Sequence, residues 1–340
     1  MSRSLDMSIF FFSSDGTTSS NDKYDLVLEC SRYADRHGFA AVWTPERHFN
    51  RFGGLYPNPA VLGAAIAAQT SRIGIRAGSV VLPLHSPIRV AEEWSVVDNI
   101  SRGRVAIAFA SGWHKTDFVL QPAAYADRRE HMERSIDLVL RLWRGERVTF
   151  TQPDNGSAEI AIYPRPLQSE LQFWLTASSP PTWIRAGRLG ANVLCLLGTS
   201  MERLAQLIRD YRAARQEHGH DPAAGQVTVM LHTFIDEDLE GARTKVREPL
   251  LRYLKDFVEH AEMVRNVAAA REDELLELAF EKRFALTSLI GPKAKCRVLL
   301  DKLYAVGVSE IACLVDFGLP KSDVLASMEG LEELRKTYLN

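Results

Sequence analysis

Two polar stretches of the sequence carry side chains suited to acid–base chemistry or anion binding. In Glu46-Arg47-His48, a carboxylate and an imidazole could act as proton donor and acceptor. A histidine in a polar loop is also often just solvated, so this trio has a second interpretation as an exposed charged turn. The spacing of His, Cys, Asp and Glu along the chain predicts no metal site.

The second stretch, 177–182, places three hydroxyl groups around the start of a predicted helix, those of Ser178, Ser179 and Thr182. Free backbone N–H groups and the positive end of the helix dipole would suit a phosphate at this position. Plain N-capping by Ser179 explains the same pattern without a ligand. The residues alone leave these two interpretations open.

A third stretch, 105–118, reads VAIAFASGWHKTDF. A short apolar strand is followed by the small pair Ser111-Gly112 and then by varied polar and aromatic residues, among them Asp117. Because Gly112 has no β-carbon, a flat ligand could approach its backbone closely. This order is typical of the mouth of a parallel α/β enzyme, although an ordinary strand–loop junction has the same pattern.

The elements that must position these side chains alternate regularly. Strands are predicted at 7–14, 40–44, 73–83, 105–110, 173–177, 193–197, 227–235 and 310–317, separated by helices. Eight such units predict a (β/α)8 TIM barrel in the α/β class. A doubly wound sheet is the alternative, but the glycine-rich dinucleotide turn that it should carry after the first strand is absent.

The prediction is one domain over 1–340 with two insertions. Residues 146–170 are rich in proline and turn formers and predict an insertion or small hairpin. Residues 237–290 are charged with a helical pattern, and they predict a helical insertion between the seventh and eighth strands. That insertion could cover the barrel mouth or form an oligomer interface.

Composition excludes several classes of protein. The 340 residues carry a formal net charge of −2 with no basic block, so nucleic acid is not an expected partner. The apolar run at 9–12 is too short for a signal sequence or a membrane span. Four scattered cysteines without a CxxC pair are typical of a reducing compartment, and a cytoplasmic location is expected.

Seven stretches, in matching order over nearly the whole chain, together resemble the bacterial luciferase-like flavin monooxygenases. They are 43–49 (WTPERHF), the helix start Asn58-Pro59, 86–93 (SPIRVAEE), 98–104 (DNISRGR), 110–118 (ASGWHKTDF), 125–129 (YADRR) and 311–318 (IACLVDFG). The last two resemble in particular the MupA-like subgroup, which is found with polyketide and nonribosomal-peptide assembly lines.

The resemblance implies a (β/α)8 barrel that binds reduced FMN from a separate flavin reductase and uses O2. The expected substrate is a small or carrier-protein-bound intermediate of secondary metabolism, and a homodimer or tetramer is expected. The isoalloxazine ring should lie across Gly78-Ser79 and Ser111-Gly112, with Asp117 among the cofactor contacts. The phosphate should lie at Ser178, Ser179 and Thr182, and the Gly78–Ser79 bond falls where the family often has a cis peptide.

The sequence departs from the family at one position. Many relatives have two histidines after the motif glutamate, whereas here Arg47 takes the first place and only His48 matches. Arg47 cannot act as a base at neutral pH, but it could hold a substrate carboxylate or stabilise a peroxide anion. We expect Glu46, Arg47 and His48 to form the catalytic group.

Aromatic walls and a lid should exclude water from such a site. The candidates for the walls are Phe10, Phe12, Trp43 and Trp113, although plain core packing explains any of these rings equally well, and the insertion 237–290 is the candidate for the lid. Two alternative functions use the same barrel: hydride transfer with the deazaflavin F420, or a non-catalytic paralogue that docks a carrier protein.

Overall fold

Eight parallel strands close into a barrel in the computed structural model, which describes residues 5–14, 22–260 and 269–338. The strands in chain order are β1 (Asp6–Phe10), β2 (Ala41–Thr44), β3 (Gly74–Val81), β4 (Val105–Ala110), β5 (Val148–Thr151), β6 (Ser157–Ile160), β7 (Phe173–Thr176), β8 (Asn192–Leu196), β9 (Val227–Ile235), β10 (Leu289–Gly291) and β11 (Glu310–Leu314). The barrel runs β1-β2-β3-β4-β7-β8-β9-β11 and closes by pairing β11 with β1.

Helices separate successive barrel strands and surround them. They are α1 (Asp25–Arg36), α2 (Pro59–Ala67), α3 (Pro87–Ser101), α4 (Arg128–Arg144), α5 (Pro180–Arg188), α6 (Met201–Glu217), α7 (Leu239–His260), α8 (Ala269–Leu286), α9 (Lys293–Ala305) and α10 (Lys321–Lys336). The predicted TIM barrel is therefore confirmed, since each strand pairs in parallel with the next and is covered by a helix.

The strands differ from the prediction mainly at their ends. β1 stops at Phe10 rather than extending to residue 14, and β3 stops at Val81 with a register shift between Gly78 and Val80. The sequence analysis missed β10, which pairs its Leu289 with Thr233 on β9. Three residues are too few to show the two-residue alternation by which a strand is detected.

The barrel interior contains a buried ion pair instead of only apolar side chains. Arg76 Nη1 lies 2.7 Å from Glu310 Oε2, while Ser8 donates to Glu310 Oε1 at 2.5 Å. The Arg76 guanidinium stacks on the rings of Trp43 and Trp174, at 4.9 and 4.7 Å from their centroids. Trp43 was a candidate wall of the active site; the structure instead places it, fully buried, among the groups that fill the barrel.

Both predicted insertions have regular structure where they are described. Residues 146–170 contain the antiparallel hairpin β5–β6. In 237–290, the ion pairs Arg243–Glu281 and Arg247–Glu277 show that α7 and α8 run antiparallel. Residues 261–268 of this predicted insertion lie outside the described residues.

Helix α7 lies over the C-terminal end of the barrel. Its Tyr253 ring is 4.7 Å from His232 of β9 and 4.9 Å from Phe52, which follows β2. This is the end of a TIM barrel that carries the active site. In the described part of the chain, no helix combines the length and the apolar composition needed to cross a membrane.

Candidate active site

The predicted site residues come together at one end of the barrel. They follow or end four neighbouring strands, β2, β3, β4 and β7, in that order around the barrel. Ser79 of β3 and Thr176 of β7 join two parts of this group, since their hydroxyl oxygens are 2.5 Å apart. The residues predicted to contact a flavin ring therefore adjoin the loop predicted to bind its phosphate.

Glu46 is buried and accepts hydrogen bonds at both carboxylate oxygens. His48 Nε2 lies 2.7 Å and His85 Nε2 2.5 Å from Oε1, and the Val81 N–H donates to Oε2 at 2.7 Å. Burial works against ionisation of Glu46, but the hydrogen bonds from His48 and His85 outweigh it and lower the pKa of the carboxyl. Burial likewise disfavours protonated His85, yet Glu46 outweighs it and raises the pKa of that imidazole.

Sequence reasoning missed His85. After β3 the chain makes one short helical turn, Leu82–Leu84, and the residue that follows the turn reaches Glu46. The useful signal was its place just before the Ser86-Pro87 helix start, on the loop of a barrel strand. Only the pair Gly78-Ser79 was considered there, because the strand was expected to break at that pair.

Glu46, His48 and His85 are also a possible set of metal ligands, with their donor atoms within 4.8 Å of one another. Two imidazoles and a carboxylate occur at many divalent metal centres. Here, however, both imidazole nitrogens contact the same carboxylate oxygen and the Val81 N–H takes the other. The arrangement fits a hydrogen-bond network, and the absence of a metal site stays a prediction.

Arg47 and Asp117 form a second buried pair beside this network. Arg47 Nη1 lies 2.8 Å from Asp117 Oδ2, and the guanidinium lies over the Trp113 ring at 5.4 Å. Burial raises the pKa of Asp117 even though Arg47 opposes the shift. Arg47 Nη2 is buried without a hydrogen-bond partner, so the pair has a free donor for an oxygen atom of a ligand.

Packing within the protein explains the two glycines of the predicted ring site. A β-carbon on Gly78 would lie 2.7 Å from Cε2 of Phe10, and one on Gly112 would lie 2.8 Å from Cγ1 of Val81. Gly112 also has a φ of +70°, which favours glycine. The Gly78–Ser79 peptide is cis, as the family resemblance implied.

The loop before α5 presents hydroxyl groups more than backbone donors. Ser179 is the N-cap residue, but its side chain makes no capping hydrogen bond; its Oγ lies 3.1 Å from Oγ1 of Thr182. The next two positions, Pro180 and Pro181, have no N–H, and the Thr182 N–H donates to the Ser179 carbonyl. Plain capping by the Ser179 side chain therefore does not occur, and the hydroxyls of Ser179 and Thr182 are half-buried.

Comparison with known proteins shows which family the chain matches. Residues 5–310 match the family model described as luciferase-like monooxygenase. The limonene 1,2-monooxygenase of Rhodococcus erythropolis is 32% identical over 244 residues, which are 68% of this chain and 60% of that protein. The oxygenase component of the flavin-dependent trigonelline monooxygenase of Acinetobacter baylyi is 26% identical, over 90% of this chain and 87% of that protein.

A third relative, the 4-hydroxyprotoasukamycin monooxygenase of Streptomyces nodosus subsp. asukaensis, is 27% identical over 68% of this chain and 64% of that protein. Among solved structures, monooxygenase RslO1 from Streptomyces bottropensis superposes with a TM-score of 0.84 at 22% identity, covering 98% of this chain and all of that one. The oxygenating constituent of 3,6-diketocamphane monooxygenase from Pseudomonas putida, in complex with FMN, superposes with a TM-score of 0.81 at 17% identity, covering 99% of both chains. These structural likenesses establish the shared fold.

Proposed function

The chain belongs to the luciferase-like monooxygenase family, and from this premise we propose that it is the oxygenase component of a two-component system using O2 and reduced FMN. The observation that supports the proposal is the contact between Ser79 and Thr176, which joins the strand of the predicted ring site to the strand that leads into the loop 177–182. Trigonelline monooxygenase is named as an oxygenase component, which supports a separate flavin reductase as partner. The structure of the diketocamphane enzyme with FMN supports the choice of flavin.

The residues at the barrel end fit this cofactor. Ser79 and Ser111, with the backbone of Gly78 and Gly112, would face the ring, and Asp117 would hold Arg47 beside it. The hydroxyls of Ser178, Ser179 and Thr182 would bind the phosphate. When bound, reduced FMN supplies two electrons to O2, so that one oxygen atom enters the substrate and the other leaves as water.

The proton-transfer residues in this proposal are His48, Glu46 and His85. The ionised Glu46 carboxylate lets either imidazole hold a proton at Nε2. His85, whose side chain is 32% exposed, can exchange that proton with water, whereas His48 is 12% exposed. Arg47 cannot exchange a proton at neutral pH, and its free Nη2 would hold an anionic oxygen atom.

We propose an intermediate of polyketide or nonribosomal-peptide biosynthesis, free or carrier-bound, as the substrate class. The stretches that resemble the MupA-like subgroup support it, and so does the similarity to 4-hydroxyprotoasukamycin monooxygenase. The insertion 237–290 would act as the lid of the one barrel domain, since α7 already lies over the barrel end. Four buried cysteines outside any disulfide support the expected cytoplasmic location.

A homodimer or tetramer is part of the proposal. The adjacent helices α2 and α3 expose three large apolar side chains, Val61, Val96 and Ile100. Exposed apolar surface of this kind is typical of an interface between subunits. Sedimentation velocity should give at least twice the monomer mass of 38.1 kDa, and a monomer at micromolar concentration would refute this part.

The test of the function is mass spectrometry of products formed from candidate pathway intermediates with reduced FMN and ¹⁸O-labelled O2. One labelled oxygen atom per product molecule is the expected result. A product without ¹⁸O, reduced or oxidised relative to the substrate, that forms only with F420 would favour hydride transfer. An F420-dependent secondary alcohol dehydrogenase has a similar fold (TM-score 0.75). Carrier-protein binding without flavin binding would favour a docking paralogue.

A further inference from the structure

A second group of polar side chains lies where β9, α7 and α8 meet, separate from the proton-transfer network. His232 of β9 is 1% exposed, and neither of its ring nitrogens has a hydrogen-bond partner. Nη1 of Arg283, on α8, is also buried and unpartnered. Buried polar groups in folded proteins are nearly always paired, so these atoms indicate a ligand site.

His232 faces the inside of the barrel mouth. It shares a strand face with Thr228, whose hydroxyl accepts a hydrogen bond from Trp174 Nε1 inside the barrel at 3.1 Å. It is also level with Leu314, which pairs with Phe10, the residue whose ring touches Gly78. The imidazole therefore lies at the level of the proposed flavin ring.

Aromatic rings enclose His232 and continue as an apolar wall. Tyr253 of α7 and Phe317 after β11 lie at 4.7 and 5.3 Å from the imidazole, both edge-on. Phe52 lies 4.9 Å from Tyr253 and 5.0 Å from Phe12. The Tyr253 hydroxyl is a further polar group on this wall. We call His232, Tyr253 and Arg283, with these rings, the aromatic pocket.

Charge decides which ligand fits the aromatic pocket. Arg283 stays cationic, although burial lowers its pKa, and no carboxylate of the described residues pairs with it. Burial and this cation lower the pKa of His232 well below its usual value, so the imidazole is neutral and has one N–H to donate to a ligand. A guanidinium nitrogen buried without a partner is unfavourable, and a ligand carboxylate would bind Arg283 through two parallel hydrogen bonds.

We propose that the aromatic pocket binds the substrate by a carboxylate: the substrate is an apolar, ring-sized organic acid, Arg283 pairs with its carboxylate, and His232 and Tyr253 donate hydrogen bonds to it. This inference rests on the proposed function, because it deepens the substrate class of the same barrel mouth. The carboxylate would be held across the mouth from Glu46 and Arg47, and the rest of the molecule would lie against the aromatic wall.

Isothermal titration of the full-length protein with benzoate, phenylacetate and cinnamate, each compared with its neutral amide, tests the proposal. At least one acid should bind tenfold or more tightly than its amide. In Arg283→Met that preference should fall to twofold or less, and Arg283→Lys should restore part of it. Arg243→Met, which changes an arginine of α7 paired with Glu281, should leave it unchanged.

Three results would overturn the proposal: no acid binds, amides bind as tightly as acids, or Arg283→Met keeps the preference. Imidazole ¹⁵N NMR gives a second readout, since His232 should shift on addition of the bound acid in wild type and not in Arg283→Met. Thermal melting checks that the variant folds. Binding of reduced FMN, measured on the same samples, separates the two proposals, because it should be equal in wild type and Arg283→Met.

Discussion

Glu46 holds two imidazoles through a single oxygen atom, and this carboxylate raises the pKa of one of them, His85. His48 and His85 each contact its Oε1, while the Val81 N–H fixes Oε2. Without the carboxylate, burial would favour neutral imidazole at His85. The sequence showed Glu46 and His48 two residues apart, but the third member lies 39 residues away and depends on the turn after β3.

Glu46→Gln should therefore lower the pKa of His85, because the charge that raises it is gone while the burial remains. NMR titration of the imidazole measures this shift without a substrate. The turnover rate should fall by roughly 10²–10⁴-fold, the usual range for loss of a positioned proton donor or acceptor. Glu93→Gln removes a weaker charge near His85 and is the matched control, with a smaller shift of the same sign. An unchanged His85 pKa in Glu46→Gln would contradict the network.

A second buried carboxylate, Asp316, belongs to stability rather than to the proposed chemistry. It accepts hydrogen bonds from the Tyr56 hydroxyl at 2.6 Å and from the N–H groups of Phe12 and Ser13 at 2.6 and 2.8 Å. Burial nevertheless raises the pKa of Asp316 to about 6. Since the folded pKa exceeds the unfolded one, this carboxyl contributes stability when protonated, and the contribution is lost as pH rises through about 6.

Tyr56→Phe should cost more stability at pH 8 than at pH 5. At pH 8 the substitution removes a hydrogen bond to an ionised carboxylate, which contributes about 2 kcal/mol. At pH 5 it removes a hydrogen bond to a mostly neutral carboxyl, which contributes about 1 kcal/mol. Urea unfolding at the two pH values gives both numbers. Tyr211→Phe is the control, because that hydroxyl donates to the Ala191 carbonyl, which does not titrate. Equal losses for Tyr56→Phe at both pH values would contradict the assignment.

At the scale of elements, the sequence predicted which strands and helices exist better than where they end. The run VAIAFA and the Asn58-Pro59 helix start lie where they were expected, because a buried strand and a capped helix have strong local signals. β10 was missed because its three residues are held by tertiary pairing with β9. For Trp43 the sequence left core and wall open, since no local pattern distinguishes a ring in a barrel core from one lining its mouth, and the ring is fully buried.

The loops at the strand ends were likewise predicted only in part. Residue type singled out Ser178, Ser179 and Thr182 as a loop at a strand end, but it did not show that Ser179 leaves its hydroxyl out of the helix cap. The pairing of Arg47 with Asp117 spans 70 residues, and it arises only when β2 and β4 come to the same end of the barrel. Contacts of that range depend on the closed fold, and the family resemblance had placed Asp117 among the cofactor contacts.

The two helix starts give a direct stability comparison. Asn58 Oδ1 accepts the N–H groups of Ala60 and Val61 at 2.9 and 3.1 Å, so Asn58→Ala should cost about 1 kcal/mol. Ser179 makes no such bond, so Ser179→Ala should cost less than about 0.5 kcal/mol. Urea unfolding of both variants measures the difference. A loss at Ser179 equal to that at Asn58 would show that its hydroxyl caps α5 after all.

At the scale of the whole molecule, the barrel is closed around a charged centre. The Glu310 carboxylate accepts hydrogen bonds from Arg76 of β3, Ser8 of β1 and Trp43 of β2. The ion pair thus joins the first strands of the chain to the last one. Removing one partner of such a pair leaves the other buried without a counter-charge.

Glu310→Gln should lower the free energy of unfolding by about 3–5 kcal/mol, the cost of stranding a buried charge. Glu170→Gln breaks the exposed pair with Arg144 and should cost less than about 1 kcal/mol. Chemical denaturation of the two variants beside wild type makes the comparison. Similar small losses of unfolding free energy in both variants would mean that water solvates the Arg76 charge or that a neighbouring group neutralises it.

Anaerobic titration of the protein with reduced FMN and with reduced riboflavin, followed by quenching of tryptophan fluorescence, tests the central claim most directly. We predict 1:1 binding, with reduced FMN at least tenfold tighter because only its phosphate would bind the hydroxyls of the loop before α5, and with that advantage lost in the Ser179→Ala/Thr182→Val variant. No binding of reduced FMN, or equal affinity for the two flavins in wild type, would contradict the account.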